Sequence, residues 1–312
     1  MKVLLCGSMA YDTIMVFPGQ FGDHIQADHL HILSVAFIVP ELRREFGGTA
    51  GNMAYHLKRL GGEPIIYATV GEDFASYNQH LQEQGIALHG LRTIADQYTA
   101  QAFITTDRDN NQITAFHPGA MEFSDQNVIP GDTNARWAIV SPDGREGMLQ
   151  HAQQLKQHGI PFIFDPGQAI PAFNREELRS LIQHSSAVAV NDYEIQLLQD
   201  KTSWDAVTIA QKVQALIVTK GAAGSSLYYE NKEMTIPSIP AQTIIDPTGC
   251  GDAYRAGLLY GLAHGWLWER SALLGSLMGS LKISQPGGQN LPQTRQEISR
   301  LFAQMGQGSL DD

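Results

Sequence analysis

The chain has 312 residues, a net charge of −11, and 43% hydrophobic against 17% charged residues, a balance that excludes an intrinsically disordered protein. The acidity argues against nucleic acid or an anionic membrane as the main partner, and two cysteines, Cys6 and Cys250, are too few for a disulfide-stapled secreted fold. No apolar run approaches the ~18–20 residues of a membrane span, and Met1–Met9 lacks the features of a secretion signal, so a cytoplasmic protein is expected.

In chain order, short apolar strands are expected at Lys2–Cys6, Ile65–Val70, Trp137–Val140, Phe162–Phe164, Ala187–Val190 and Leu216–Thr219. Between them the pattern predicts helices over Gly51–Leu60, Ala75–Gln84, Met148–His158, Glu176–Gln183, Tyr193–Gln199 and Ala206–Val213. Strands alternating with helices indicate βαβ units and a mostly parallel sheet. Their continuous apolar runs fit strands covered on both faces. Two segments break this rhythm. Thr13–Glu45 has no helical period but carries an apolar run, His31–Val39. Tyr98–His117 reads as a hairpin with a polar turn at Asp107–Asn111 and with Thr99, Gln101, Phe103 and Thr105 on one face of its first strand. Together they predict a small β-rich lid of residues 13–45 and 98–118 on a large α/β domain of residues 1–12, 46–97 and 119–312.

The densest chemical signal is Asp246-Pro247-Thr248-Gly249-Cys250-Gly251-Asp252-Ala253, followed by a helical pattern. Glycines before a helix let backbone approach a ligand, and unpaired N–H groups at the helix start attract anions. Gly249, Cys250 and Gly251 are the expected donors, and Asp252 the expected base for a hydroxyl proton. That pairing suits phosphoryl transfer to an alcohol, although a capped helix after a tight turn accounts for the same residues. A second cluster, Phe46-Gly47-Gly48-Thr49-Ala50-Gly51-Asn52, also precedes a helix; it fits substrate hydroxyls or an ordinary turn. Ser8 and Asp12 follow one strand, and Asn191 and Glu194 another. Open α/β sheets bind ligands at such carboxyl ends. Asp12 could accept from paired sugar hydroxyls. Asn191 and Glu194 could hold magnesium phosphate through water, or form a capping box. The loop Thr219-Lys220-Gly221-Ala222-Ala223-Gly224 suits nucleotide phosphates.

Gly47–Asn52 and Asp246–Ala253 resemble the two signatures of the ribokinase-like (PfkB) sugar and nucleoside kinases, with the Asn191–Glu194 and Thr219–Gly221 motifs between them in the family's order. Cys250 departs from the small residue usual there, but its backbone N–H is the group expected to act. Within the family the likeness is greatest to bacterial adenosine kinases of the mycobacterial type, through Gly7–Asp12, Phe17–Phe21, His29–His31, Asp165–Gln168 and Gly251–Gly257. The resemblance implies a three-layer sandwich with a lid, often used for homodimerisation. It implies ATP-dependent phosphorylation of the adenosine 5′-hydroxyl with Mg2+, and monovalent-cation (K+) stimulation near Asp246–Thr248. Asp252 matches the family base. Ser8, Asp12, Gly48 and Asn52 match the ribose site, Phe103 and Phe116 match lid aromatics flanking adenine, and Gln168 matches a base contact. Asn191, Thr219, Gly221, Gly224 and Thr248 match the nucleotide site, with Glu194 and Asn191 beside the metal. Ala169 stands where close relatives carry a second Gln, which leaves a ribose or fructose kinase open, as does a non-catalytic nucleoside sensor.

A Walker phosphate loop, a kinase His-Arg-Asp and a Cys-x-x-Cys are absent. His29-x-His31 is no zinc spacing and reads as lid packing or as surface residues. Cys250, near a helix start, is a candidate low-pKa thiol or a space-filling residue.

Overall fold

The computed structural model describes residues 1–25, 34–109 and 111–312; the expectation for His29–His31 falls outside them. In chain order the strands are β1 (Lys2–Cys6), β2 (Ala10–Val16), β3 (Glu41–Gly47), β4 (Glu63–Val70), β5 (Leu91–Thr93), β6 (Ala100–Thr106), β7 (Gln112–His117), β8 (Trp137–Val140), β9 (Phe162–Phe164), β10 (Ala187–Asn191), β11 (Ala215–Thr219), β12 (Ser225–Tyr229) and β13 (Lys232–Ile236). The α-helices are α1 (Thr49–Arg59), α2 (Ala75–Glu83), α3 (Arg145–Gln157), α4 (Arg175–His184), α5 (Asp192–Thr202), α6 (Ala206–Ala210), α7 (Cys250–Ala263), α8 (Trp268–Lys282) and α9 (Arg295–Gln304).

Nine strands form one sheet in the order β13-β12-β11-β10-β9-β8-β1-β4-β5, parallel except for the β12–β13 edge. Alternate side chains feed two cores. Val3, Leu5, Ile66 and Ile139 join the core under α1, α7, α8 and α9, while Leu4, Cys6, Ile65 and Val140 join the one under α3, α4 and α5. Both faces are therefore dry, which explains the continuous apolar runs. The order reverses at β1, whose neighbours are β4 and β8. A cleft outside the carboxyl ends is the expected ligand site at such a switch point.

α7 and α8 pack backbone to backbone. A Cβ placed on Gly257 would lie 2.8 Å from Gly275 N and Leu274 O. This contact brings the C-terminal end of α8 beneath the start of α7. The pattern signalled neither α8, apolar on nearly every side, nor the β12–β13 hairpin, whose turn residues Glu230 and Asn231 have φ of 51° and 60° as a two-residue hairpin turn requires.

The second sheet has the order β3-β2-β6-β7. Both irregular segments contribute to it, but its strands reach further than expected: β2 starts at Ala10 and β3 ends at Gly47, so Asp12 sits on a lid strand. Asp73 anchors the root of this sheet, accepting from Thr99 N at 2.7 Å and Gln101 Nε2 at 3.1 Å and pairing with Arg44 at 3.6 Å.

Gly257→Ala should force α7 and α8 apart. The expected cost is about 1–3 kcal/mol, read as a lower urea midpoint.

Candidate active site

Asp252 occupies the first turn of α7, whose N-cap is Gly249 at φ 74°. That left-handed conformation favours glycine. Asp252 Oδ2 accepts from Asn52 Nδ2 at 2.8 Å. Burial pushes the Asp252 carboxyl up to about 6, against the Asn52 hydrogen bond and Arg255, with Asp165 and Asp12 adding to the rise. Beneath it Arg255, 5% exposed, is ion-paired with Asp165 and donates to Gly251 O at 3.3 Å. Burial pushes Asp165 up against the pull of Arg255.

The amide cradle differs from expectation at one position. Cys250 N–H donates to Pro247 O at 3.1 Å, closing the turn, so it is not available to an anion. Among the described residues no acceptor takes the amides of Gly249, Gly251 or Asp252. The Cys250 thiol is also corrected: burial pushes it up to about 11 despite nearby Lys282, so it is an uncharged filler at neutral pH and not a low-pKa nucleophile.

Asp12 projects from β2 and accepts no hydrogen bond among the described residues. Burial pushes it up to about 6, helped by Glu45 and Asp246. A Cβ on Gly47 would strike its Oδ2 at 2.4 Å. Gly48, at φ 84°, lies against the Ser8–Ala10 backbone, with Ser8 O 2.5 Å from the position of a Cβ. Ser8 is not a free hydroxyl: its Oγ accepts from Thr49 N at 3.1 Å and so caps α1. Asn52 is likewise committed. Its Nδ2 holds Asp252, and its Oδ1 accepts from Gln289 Nε2 at 3.2 Å. Both polar atoms of its amide are thus engaged within the protein, where the expectation was a contact to sugar hydroxyls.

Phe103 and Phe116 do not form a clamp. β6 and β7 pair Phe103 with Ala115 and Ala102 with Phe116, so the two rings leave opposite faces of the sheet. Phe116 shares its row with Ala102, Asp12 and Glu45. Gln168 lies exposed on the turn Gly167–Ala172 after β9, its side chain without a hydrogen bond.

Asn191 and Glu194 form the reciprocal cap of α5: Glu194 N donates to Asn191 Oδ1 and Asn191 N to Glu194 Oε2, both at 2.8 Å. Glu194 Oε1 accepts no hydrogen bond among the described residues. Burial and Asp165 push its carboxyl up.

A cavity of about 510 Å3 runs from the start of α7 toward β11, lined by Thr219, Gly221, Gly224, Cys250, Gly251 and Gly279 among others. Gly221 and Gly224 have φ of 53° and 83°, and a Cβ on Gly224 would lie 2.2 Å from Ile236 O. Thr248 is exposed, and its amide donates to Asp246 Oδ1 at 2.9 Å. Sequence reasoning missed the far wall, Ile239, Ala241, Ile244, Ser280 and Ile283. The small residues of Gly275–Ser280 were its only signal. It also missed Gln289 and Lys282 as site residues, for which no motif exists.

The pfkB family carbohydrate kinase model matches residues 19–295. A nucleoside kinase of Methanocaldococcus jannaschii is 34% identical over 267 residues, covering 84% of this chain and 87% of that protein. The solved Burkholderia thailandensis nucleoside kinase in complex with inosine is 48% identical, with a TM-score of 0.88 and 97% of both chains covered. Its complex titled ADP-inosine is 49% identical, with a TM-score of 0.85 and coverage of 97% and 95%. The chain thus belongs to the pfkB family, with the ribokinase-like α/β fold, and is a phosphotransferase acting on a hydroxyl group. These relatives carry the broader name of nucleoside kinase rather than the mycobacterial-type adenosine kinase that the motifs resembled.

Removing Arg255 should strand a buried Asp165 carboxylate. Arg255→Met is expected to cost about 3–5 kcal/mol in urea unfolding, and the double change with Asp165→Leu to recover most of it.

Proposed function

We propose that this pfkB-family kinase transfers the γ-phosphoryl group of ATP to the 5′-hydroxyl of a purine nucleoside, adenosine being the substrate that its motifs favour. The observation that carries the reading is the start of α7. There an Asp252 carboxyl held by Asn52 stands in the same helix turn as uncommitted amides, and the adjoining Cys250 and Gly251 line a cavity shared with Gly221 and Gly224. Support for a nucleoside over a bare sugar comes from the Burkholderia kinase solved with inosine and from Phe116, half exposed on the Asp12 face of the lid sheet.

In this reading ATP lies in the cavity, its adenine against Ile239, Ala241 and Ile244 and its phosphates toward Gly221, Gly224 and Gly251. Asp12 accepts from the ribose hydroxyls. Asp252, with a pKa near 6, is ionised at neutral pH yet basic enough to take the 5′-hydroxyl proton. The amides of Gly249 and Gly251 and the helix start stabilise the charge that builds on the migrating group. Mg2+ fits outer-sphere, since it keeps waters and Glu194 Oε1 remains for one; bound there with ATP, it would neutralise phosphate charge. Leu42, Phe103 and Ile113, all exposed on the opposite lid face, suit a second copy of the chain in a homodimer.

Asp252→Asn should lower kcat by about 10²–10⁴-fold with nucleoside affinity little changed in calorimetry. In the wild type, kcat/KM should fall about tenfold per pH unit below about 6 and level off above it, because the base is lost on protonation. ADP release with adenosine, inosine, guanosine, ribose and fructose decides the substrate class: faster turnover of ribose than of adenosine would remove the nucleoside reading, and binding without turnover would favour a sensor.

The lid faces separate in a second test. Phe116→Ala should raise nucleoside KM by about 5- to 160-fold, the loss of a ~1–3 kcal/mol stacking contact. Phe103→Ala should leave KM unchanged and weaken self-association in sedimentation.

A further inference from the structure

Lys282 is the last residue of α8, and its side chain is 0% exposed. A buried ammonium is expensive to desolvate, and burial pushes its pKa down, against the pull of Asp246, Cys250 and Asp252. What it touches accounts for its place. Nζ donates to Asp246 O at 2.8 Å and to Gln285 O at 3.1 Å, so one charge joins the loop before α7 to the chain leaving α8. The rest of the joint is built from the same two segments. Ile245 N and Asp246 N donate to Ile283 O at 2.9 and 3.1 Å. The Asp246 carboxylate accepts from Thr248 N at 2.9 Å and Gly287 N at 2.8 Å. Burial raises the Asp246 carboxyl, but these hydrogen bonds and Lys282 outweigh it and hold it below its ordinary range.

An exchangeable potassium ion at this loop would be held by backbone carbonyls that replace its water. The carbonyls of Asp246 and Gln285 are already taken by a group of like charge and similar size. The cation stimulation implied near Asp246–Thr248 therefore does not fit these residues. We propose that Lys282 is a positioning residue that supplies this cation from within the chain, holding the Asp246–Gly249 turn so that the start of α7 is set for phosphoryl transfer without any exchangeable monovalent ion. The inference rests on the kinase reading above for its activity tests only.

The experiment compares the wild type and Lys282→Met, of nearly matched volume, in potassium, ammonium and tetramethylammonium chlorides at equal ionic strength. Wild-type kcat should agree within twofold in all three salts. Lys282→Met should lose tenfold or more of kcat in tetramethylammonium with nucleoside KM within twofold, and potassium or ammonium should restore part of it along a saturating curve. Its melting temperature should rise with potassium, as a ligand that binds the folded state requires, while the wild-type value should not respond beyond the effect of tetramethylammonium. A wild type more than tenfold faster in potassium overturns the proposal, and so does a Lys282→Met enzyme as fast as the wild type in tetramethylammonium. If Lys282→Met does not fold, the wild-type salt comparison decides alone. Absence of turnover in the wild type in every salt would defeat the kinase reading, while the melting comparison would still test the cation.

Discussion

The hydrogen bond from Asn52 to Asp252 joins residues 200 apart in the chain, and the geometry of the cleft depends on it. It locks the fourth residue of α1 to the first turn of α7, each helix led by a glycine N-cap. It also continues outward. Gln289 donates to both Asn52 and Tyr77, and the Tyr77 hydroxyl donates to Gly47 O at 2.8 Å, at the root of the lid sheet. The His80 ring, stacked on Phe46, contacts Gln289 Oε1 at 3.0 Å. A continuous polar thread thus runs from Asp252 to the lid sheet through groups with few other partners. In a low-dielectric interior such a thread is stable only while each member is satisfied, so the orientation of Asp252 and the seating of the lid root share one set of bonds.

The charge around this thread is mostly negative. Asp12, Asp165, Asp246 and Asp252 converge with Glu45 and Glu194, and two buried cations, Arg255 and Lys282, face them. An anionic substrate entering such a cleft needs the acids divided by task. Asp165 is tied to Arg255, and Asp246 to backbone amides and Lys282. Asp12, which accepts no hydrogen bond among the described residues, and Asp252, held by the Asn52 amide, are both raised to about 6. Partners rather than burial set these carboxylates apart, since Asp165 is as buried as Asp252 but is paired with Arg255, and perturbed pairs of this kind mark candidate functional sites.

Much of this was legible in the sequence. The parallel sheet followed from strand spacing and apolar runs, the glycine-led helix start from Gly249–Asp252, and the cap of α5 from Asn191 and Glu194. What was not legible depended on tertiary placement. Ser8 and Asn52 were read as free polar groups because nothing local shows that Thr49 and Asp252 claim them. Lys282 carried no signal, because α8 itself was not read from the pattern, and only the chain folding back over α8 buries it. The β12–β13 edge and β3 carry too few apolar residues to read as strands without their partners.

The lid shows how much can turn on a single residue of register. Alternation along β6 was readable, and it correctly separates Phe103 from Ala102. Whether Phe116 joins one face or the other depends on how the turn Asp107–Asn111 sets the pairing of Thr106 with Gln112. One residue more or less in that turn would place both rings together, since a slip of one moves every side chain across the sheet. The turn is pinned: Asp107 accepts from Asp109 N and Asn111 N at 2.9 Å and from Phe21 N at 3.0 Å. An aspartate at the far tip of the lid thereby helps to determine which aromatic side chain shares the face of Asp12.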